Sequence, residues 1–247
     1  MGWMETFMAE FDKTFIRDDR YKVFVTGFKN TLLITAISLI VGLIGGILIA
    51  IIRYGYSQMK KRKPVTVPQK LLYLAVNIID KILALYVAVM RGVPLVVQLL
   101  IMAFVVMAGF PNKITVCCIA MGLNSAAYVS EVVRGGISSV DAGQMEAGRA
   151  VGLGYWTTML RIVIPQAVKN ILPTMGNEFI ALIKETSVVS FVGAADLYVA
   201  FNYIGSNSYE FMVPYLVMAI IYIILVLIIS AGIKIMERSL RKSDRRN

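Results

Sequence analysis

Glu146-Ala147-Gly148-Arg149-Ala150-Val151-Gly152 stands between two long apolar stretches of a 247-residue chain. The segment carries two opposite charges, two glycines and one uncharged side chain larger than alanine, Val151. A charge at the centre of a bilayer costs about 3 kcal/mol or more. This segment therefore belongs in water, and the apolar stretches on either side of it read as membrane-spanning helices. The segment is then a loop of a polytopic membrane protein.

Composition points the same way. The chain is 58% hydrophobic and 16% charged, with a mean hydropathy of +0.73. Soluble domains are far less apolar. The charges cluster between long uncharged runs. The net charge of +10 comes mostly from Lys and Arg flanking those runs. Topology and lipid headgroups account for it, and no nucleic-acid partner is needed. The chain has no His, which removes His-based acid–base chemistry and His metal sites. Cys117 and Cys118 are adjacent in an apolar run. They provide neither a disulfide framework nor a metal site and read as small buried residues. The N-terminal stretch holds Glu5, Glu10, Asp12, Asp18 and Asp19, with no apolar core before Thr31, so it does not read as a signal peptide.

Working outward from the loop, five spans are expected. The first is Thr31 to Ile52, which carries Gly42 and Gly46 in a spacing that allows close helix approach. The others are 94–108, Ile114 to Val133, Pro173 to Ala195, and Phe211 to Ile233. Pro94 suits the first turn of a helix. The segment from Leu71 to Met90 is interrupted by Asn77, Asp80 and Lys81 and is placed at the membrane surface. The fourth span is the most polar, with Glu178, Lys184 and Glu185. Most Lys and Arg fall in the linker 53–93, which includes Lys60 to Lys63, in the loop 134–172, and in the tail 237–247. The positive-inside rule puts these in the cytoplasm and the N-terminal segment 1–25 outside.

Within the cytoplasmic loop, Ser138-Ser139-Val140-Asp141 has a helix-start pattern, and Gly152 suits a helix end. A short helix is expected over 139–152. Glu146 and Arg149, three apart, are placed to pair on its surface. Such a thin, water-facing helix suits docking into a partner's groove, or lying on the headgroups as a connector.

These residues carry a resemblance. Glu146-Ala147-Gly148, Gly152, Ile162, Ile164 and Pro165 resemble the E-A-A-x3-G-x9-I-x-L-P signature of ABC-importer permeases, with matching spacing throughout. Gly148 stands for the third Ala and Ile164 for Leu; the glycine weakens the helix by up to about 1 kcal/mol. Further segments resemble the polar amino acid branch of that family. Arg91-Gly92-Val93-Pro94 through Leu99 is similar to its RGTPLLVQL, and Ala126 through Ile137 to its AAYxAExxRGGI. Asp141-Ala142-Gly143-Gln144 precedes the motif as the family's KGQ does. Leu172-Pro173 through Phe179 and Lys184-Glu185-Thr186-Ser187 resemble LPxxxNEF and K-D-T-S. The match covers Thr26 to Met236.

The resemblance implies an all-α integral membrane fold of the type I ABC importer kind. It has a transmembrane domain over 26–236, the N-terminus outside and the C-terminus cytoplasmic. It also implies a multi-pass permease of the bacterial cytoplasmic membrane that translocates amino acids. Its partners would be ABC ATPase subunits, a second permease subunit (identical or different), and an extracytoplasmic substrate-binding protein. The ATPase-coupling residues would be Asp141, Glu146, Ala147, Gly148, Arg149, Gly152, Ile162 and Pro165. ATP and Mg would be bound by the partner ATPase, with no cofactor, metal or catalytic residue on this chain. In keeping with this, the sequence contains no G-x4-G-K-[ST] phosphate loop.

Helix rise places Lys184 about 16 Å beyond Pro173, near mid-membrane, and Asn124 about as far beyond Lys113. Asn124, Ser125, Lys184, Glu185, Thr186 and Ser187 are therefore expected at a similar depth, and Glu178 and Glu185 on one helix face. These form either the substrate pathway or a polar cluster that fixes packing. Glu131 reads as a structural or gating partner of Arg134 or Arg149. Two other classes compete: an ion-coupled secondary amino acid carrier, which the mid-membrane charges would suit, and a structural membrane anchor.

Overall fold

Uncharged runs of twenty residues and more leave the backbone one way to satisfy its hydrogen bonds in lipid, and the chain takes it. A computed structural model describes residues 2–60 and 65–244, and every regular element among them is helical. Most of the basic cluster Lys60 to Lys63 and the last three residues of the tail lie outside the described residues. Helix α1 is Trp3–Phe11, α2 Tyr21–Lys60, α3 Val67–Gly92, and α4 Leu95–Ile101, which is prolonged by a π-helical turn over Met102–Val106. Then come α5 Lys113–Ser138, α6 Ala142–Ala150, α7 Tyr155–Thr158, a π-helical turn over Met159–Val163, and α8 Ile164–Glu185. A 3₁₀ segment, Thr186–Val192, leads to α9 Leu197–Ser208 and α10 Met212–Asp244.

Four helices are long and apolar enough to cross a membrane: α2, α3, α5 and α10. The segment Tyr155–Val192 together with α9 is bent by 57° at its break and gives a fifth where the pair is counted as one span. Four to five apolar helices thus stand against the five spans expected, and two of the expected positions differ. The second span expected over 94–108 is helical for only seven α and five π residues, under about 18 Å. The helix with the length and composition to cross is α3, which the sequence reading had laid on the surface. The loop's side of the membrane is unaffected, because α3 replaces the 94–108 segment in the order of crossings. The fourth span begins well before Pro173, which sits inside α8, and its regular helix ends at Glu185 rather than running to Ala195.

The chain divides into two compact units. The first comprises Met1–Leu39, Pro94–Met121 and Phe179–Ala231. One of its cores gathers Ile34, Leu99, Val116, Cys117, Met121, Leu182 and Val189. Another is aromatic: Phe201 is fully buried and meets Phe15 edge-on at 5.8 Å, with Phe24 at 5.6 Å on another side. Asp196 caps α9 by accepting from the Val199 amide at 3.0 Å, and Thr31 Oγ1 accepts from the Leu197 amide at 3.0 Å. Polar side chains thus hold the break before α9 in register.

The second unit comprises Ile40–Val93, Gly122–Glu178 and Gly232–Asn247. Here α2 lies against α5 with no room for side chains between them. A methyl group on Gly42 would overlap Ser125, and one on Gly46 would overlap Val129. The two glycines therefore serve close helix approach, as their spacing suggested. Ala50, Val129, Val133, Met159, Val163 and Ala167 complete this core.

Candidate coupling site and polar residues of the spans

The loop helix α6 is built by its two ends. Asp141 begins it: the Gly143 amide donates to Asp141 Oδ1 at 2.6 Å. Ser138 belongs to the end of α5, so the expected Ser-x-x-Asp start gives way to a cap by the aspartate itself. Gly152 ends it in the left-handed region at φ 86°. There the Gly152 amide donates to Arg149 O and the Leu153 amide to Gly148 O, both at 3.0 Å. This 6→1 and 5→2 pair is the Schellman arrangement, and it explains why glycine stands four residues after Gly148.

Between these ends, Gly148 is buried against Thr158, and a methyl at that position would overlap the threonine Cγ2. Glycine replaces the third alanine of the signature because Thr158 fills that space. Asp141, Glu146, Ala147 and Arg149 are exposed. No ion pair within 4.0 Å among the described residues joins Glu146 to Arg149, contrary to the expected pairing. Holding two exposed side chains together returns little energy. Ile162 lies in the π-helical turn, and Pro165 in the first turn of α8. The distal half of the motif therefore marks the joint between α7 and α8.

Two features of this surface escaped the sequence reading. Val151 and Trp156 are 77% and 72% exposed, and they give the loop an apolar contact surface beside its charges. Two side-chain hydrogen bonds tie the loop to α8: Gln166 Nε2 to Gln144 Oε1 at 3.2 Å, and Asn170 Nδ2 to Ser139 Oγ at 2.9 Å. No single-residue pattern signals a pair separated by 22 or 31 positions.

A charged centre in the second unit was legible only in part. Glu131 accepts from Arg53 at 2.9 Å and from Arg134 at 2.6 Å, with Arg91 at 4.0 Å. Arg134, one of the two partners foreseen, is the one it takes. Arg53 also lies 3.5 Å from Asp80, and the Arg91 guanidinium stacks over Tyr128 at 5.5 Å. Asp80 and Arg91 are about 16 Å apart along α3 yet reach one centre, so α3 passes across it. The pairing of Asp80 with Arg53 and of Arg91 with Glu131 lowers the cost of carrying these two charges on α3.

The remaining candidates sort by unit. In the second, Asn124 is buried and donates to Met90 O at 3.1 Å; Ser125 is buried beneath Gly42; Glu178 is half-buried. In the first, Thr186 is buried and donates to Ile183 O at 2.7 Å, and Ser187 donates to Lys184 O at 3.0 Å. Those two hydroxyls close the end of α8 on its own backbone. Lys184 and Glu185 are exposed.

The arrangement of spans and capped loop has known counterparts. Residues 72–242 match the family described as the binding-protein-dependent transport system inner membrane component. The chain belongs to this family. It is 35% identical to the arginine transport system permease protein ArtQ of Bacillus subtilis, over 88% of this chain and 92% of that one. It is 36% identical to a putative glutamine transport system permease protein GlnP of Rickettsia conorii, over 87% and 92%. Among solved structures, an amino acid ABC transporter crystallised with histidines matches with a TM-score of 0.75 at 33% identity, over 89% and 94%. The MetNI methionine transporter, at 20% identity and a TM-score of 0.69, shares the fold. The chain is thus a multi-pass membrane permease component, and the family's ATP hydrolysis resides on separate subunits.

Proposed function

We propose that this permease carries amino acids inward across the bacterial cytoplasmic membrane. Its α6 docks on a partner ATPase that binds ATP and Mg. The relatives named for arginine and glutamine transport support the substrate class. The observation that carries the docking assignment is α6 and the turn that follows it: the helix is capped by Asp141, closed by Gly152 and exposes Glu146 and Arg149, with Val151 at its end and Trp156 of α7 exposed beside it. An exposed apolar surface rimmed by charge is the form of a docking site.

The basic residues between α2 and α3, the basic loop after α5 and the tail share one side by the positive-inside rule. That side is the cytoplasm, where the ATPase works; the N-terminal segment 1–25 and a substrate-binding protein face outside. A second permease subunit completes the pathway. The test is reconstitution with the ATPase and binding protein in liposomes. Radiolabelled arginine and glutamine are offered with ATP, with a non-hydrolysable analogue, and with an ion gradient alone. Uptake of either amino acid only with hydrolysable ATP is the expected result; uptake driven by the gradient alone would replace the importer with an ion-coupled carrier.

A further inference from the structure

This inference rests on the orientation proposed above, with the N-terminal segment outside, and concerns a groove between α2 and α9 in the first unit. The depth of the groove follows from its neighbours. Arg20 donates to Asn207 O at 3.4 Å, so the start of α2 stands level with the end of α9. Four residues after Asn207, the uncharged run of the last span begins at Phe211. Tyr21, Tyr203, Tyr209 and Phe211, at this level or within a helical turn of it, are all exposed. Aromatic rings gather at the membrane–water interface, and these four mark its outer side.

The groove has a volume of about 460 Å³, within the range of small-ligand pockets. It lies where α2 touches α9: a methyl on Gly27 would overlap Asp196 O and the Ala200 Cβ. Val23, Val199 and Ala200 make its lining apolar, and Tyr203 borders it. Asp196 borders it as well but is fully buried, with Oδ1 accepting from the Val199 amide. The exposed charge is that of Lys22, which lines the groove and is bonded to Asp19; the two side chains are 64% and 60% exposed.

An apolar groove with an ammonium and a carboxylate beside it, set at the interface, is complementary to a zwitterionic phospholipid. The acyl chains meet the apolar lining, the phosphate meets Lys22, and the headgroup ammonium donates to Asp19. An anionic headgroup without an amine satisfies Lys22 but is repelled by Asp19. A quaternary amine has no proton to donate to the carboxylate. We infer that the groove holds one phosphatidylethanolamine molecule of the outer leaflet.

The experiment takes the complete transporter, stripped of lipid in mild detergent, and titrates it with phosphatidylethanolamine, phosphatidylglycerol or phosphatidylcholine under native mass spectrometry. Unmodified protein is expected to retain one phosphatidylethanolamine per copy of this chain, about tenfold more tightly than either other lipid. Asp19 stands at φ 56°, a region asparagine tolerates, so Asp19→Asn keeps the turn and is expected to lose the preference over phosphatidylglycerol. Lys22→Gln, at an exposed side chain, weakens all three lipids. Val199→Phe fills the groove and removes the retained lipid; should it misfold, the two charge variants still decide the matter. Retention unchanged in Lys22→Gln and Asp19→Asn overturns the proposal. Equal retention of the three lipids by unmodified protein overturns it too, since that is how unspecific boundary lipid behaves. Retention of none does the same, and leaves the groove to water or to another protein surface. A failure of the orientation is seen separately. Ala9→Cys, exposed on α1, would then escape a membrane-impermeant maleimide in right-side-out vesicles, while lipid retention in detergent stays as it was. Cys117 and Cys118 are buried.

Discussion

Gly148 is where one methyl group decides how the coupling loop packs. Adding it in Gly148→Ala drives a Cβ into Thr158 Cγ2, an overpacking error worth about 1–3 kcal/mol. Uptake and detergent melting temperature both fall in the single variant. Thr158→Ala removes the obstructing atoms, so the double variant recovers most of both despite losing the Thr158 hydroxyl's bond to Gly154 O at 3.1 Å. Gly152→Ala fails for a different reason. Its φ of 86° costs an alanine about 1–2 kcal/mol in the left-handed region, and no second substitution relieves it. The expected outcome is a frayed end of α6 and weaker retention of the ATPase on purification, with α8 intact. At this scale the sequence was readable where backbone rules apply: the glycine at 152 announces a helix end, while the start expected at Ser138-Ser139 falls instead at Asp141. Thr158 was silent, because nothing along the chain says which side chain will fill the space above Gly148.

At the scale of elements, the charged centre on α2, α3 and α5 is the feature most exposed to test. Glu131 is the shared acceptor for Arg53 and Arg134, and its side chain is 19% exposed. Glu131→Gln removes the carboxylate shared by Arg53, Arg91 and Arg134 and leaves Arg53 with Asp80. Breaking such a partly buried pair costs on the order of 3 kcal/mol, read as a lower melting temperature in detergent. The same centre explains why α3 was misplaced. Asn77, Asp80 and Lys81 interrupt the run when read singly, yet Asn77 accepts from the Tyr56 hydroxyl at 2.8 Å and Asp80 lies 3.5 Å from Arg53, both far away in sequence. Hydropathy sees the charge and not its partner. The apolar runs of α2 and α10 and most of α5 are uncharged, and these elements were read correctly. The α2–α5 contact makes a companion prediction. Gly46→Leu places a side chain where Val129 already stands, so the variant inserts poorly or melts early, whereas Gly55→Leu, with open space around it, leaves stability within about 0.5 kcal/mol.

For the whole molecule, the account makes one claim on which the rest depends: the span count and the position of α6 put that helix in contact with a cytoplasmic ATPase. The all-helical class and the family were open to reading, because apolar runs and a spaced motif are local in sequence. The two polar ties from the loop to α8 and the groove between α2 and α9 were not, because they arise only when distant turns of helix meet. The most direct measurement is a cysteine at Val151, 77% exposed on the loop, in the tagged chain expressed with its ATPase. A short bifunctional thiol crosslinker is applied, and the partner is identified by mass. The account predicts a single crosslinked species joining this chain to the nucleotide-binding subunit. It also predicts that Glu146→Lys reduces this species while leaving the protein in the membrane. If Val151→Cys crosslinks to no ATPase in a preparation that still transports, the docking assignment is contradicted, and α6 is a connector lying on the headgroups.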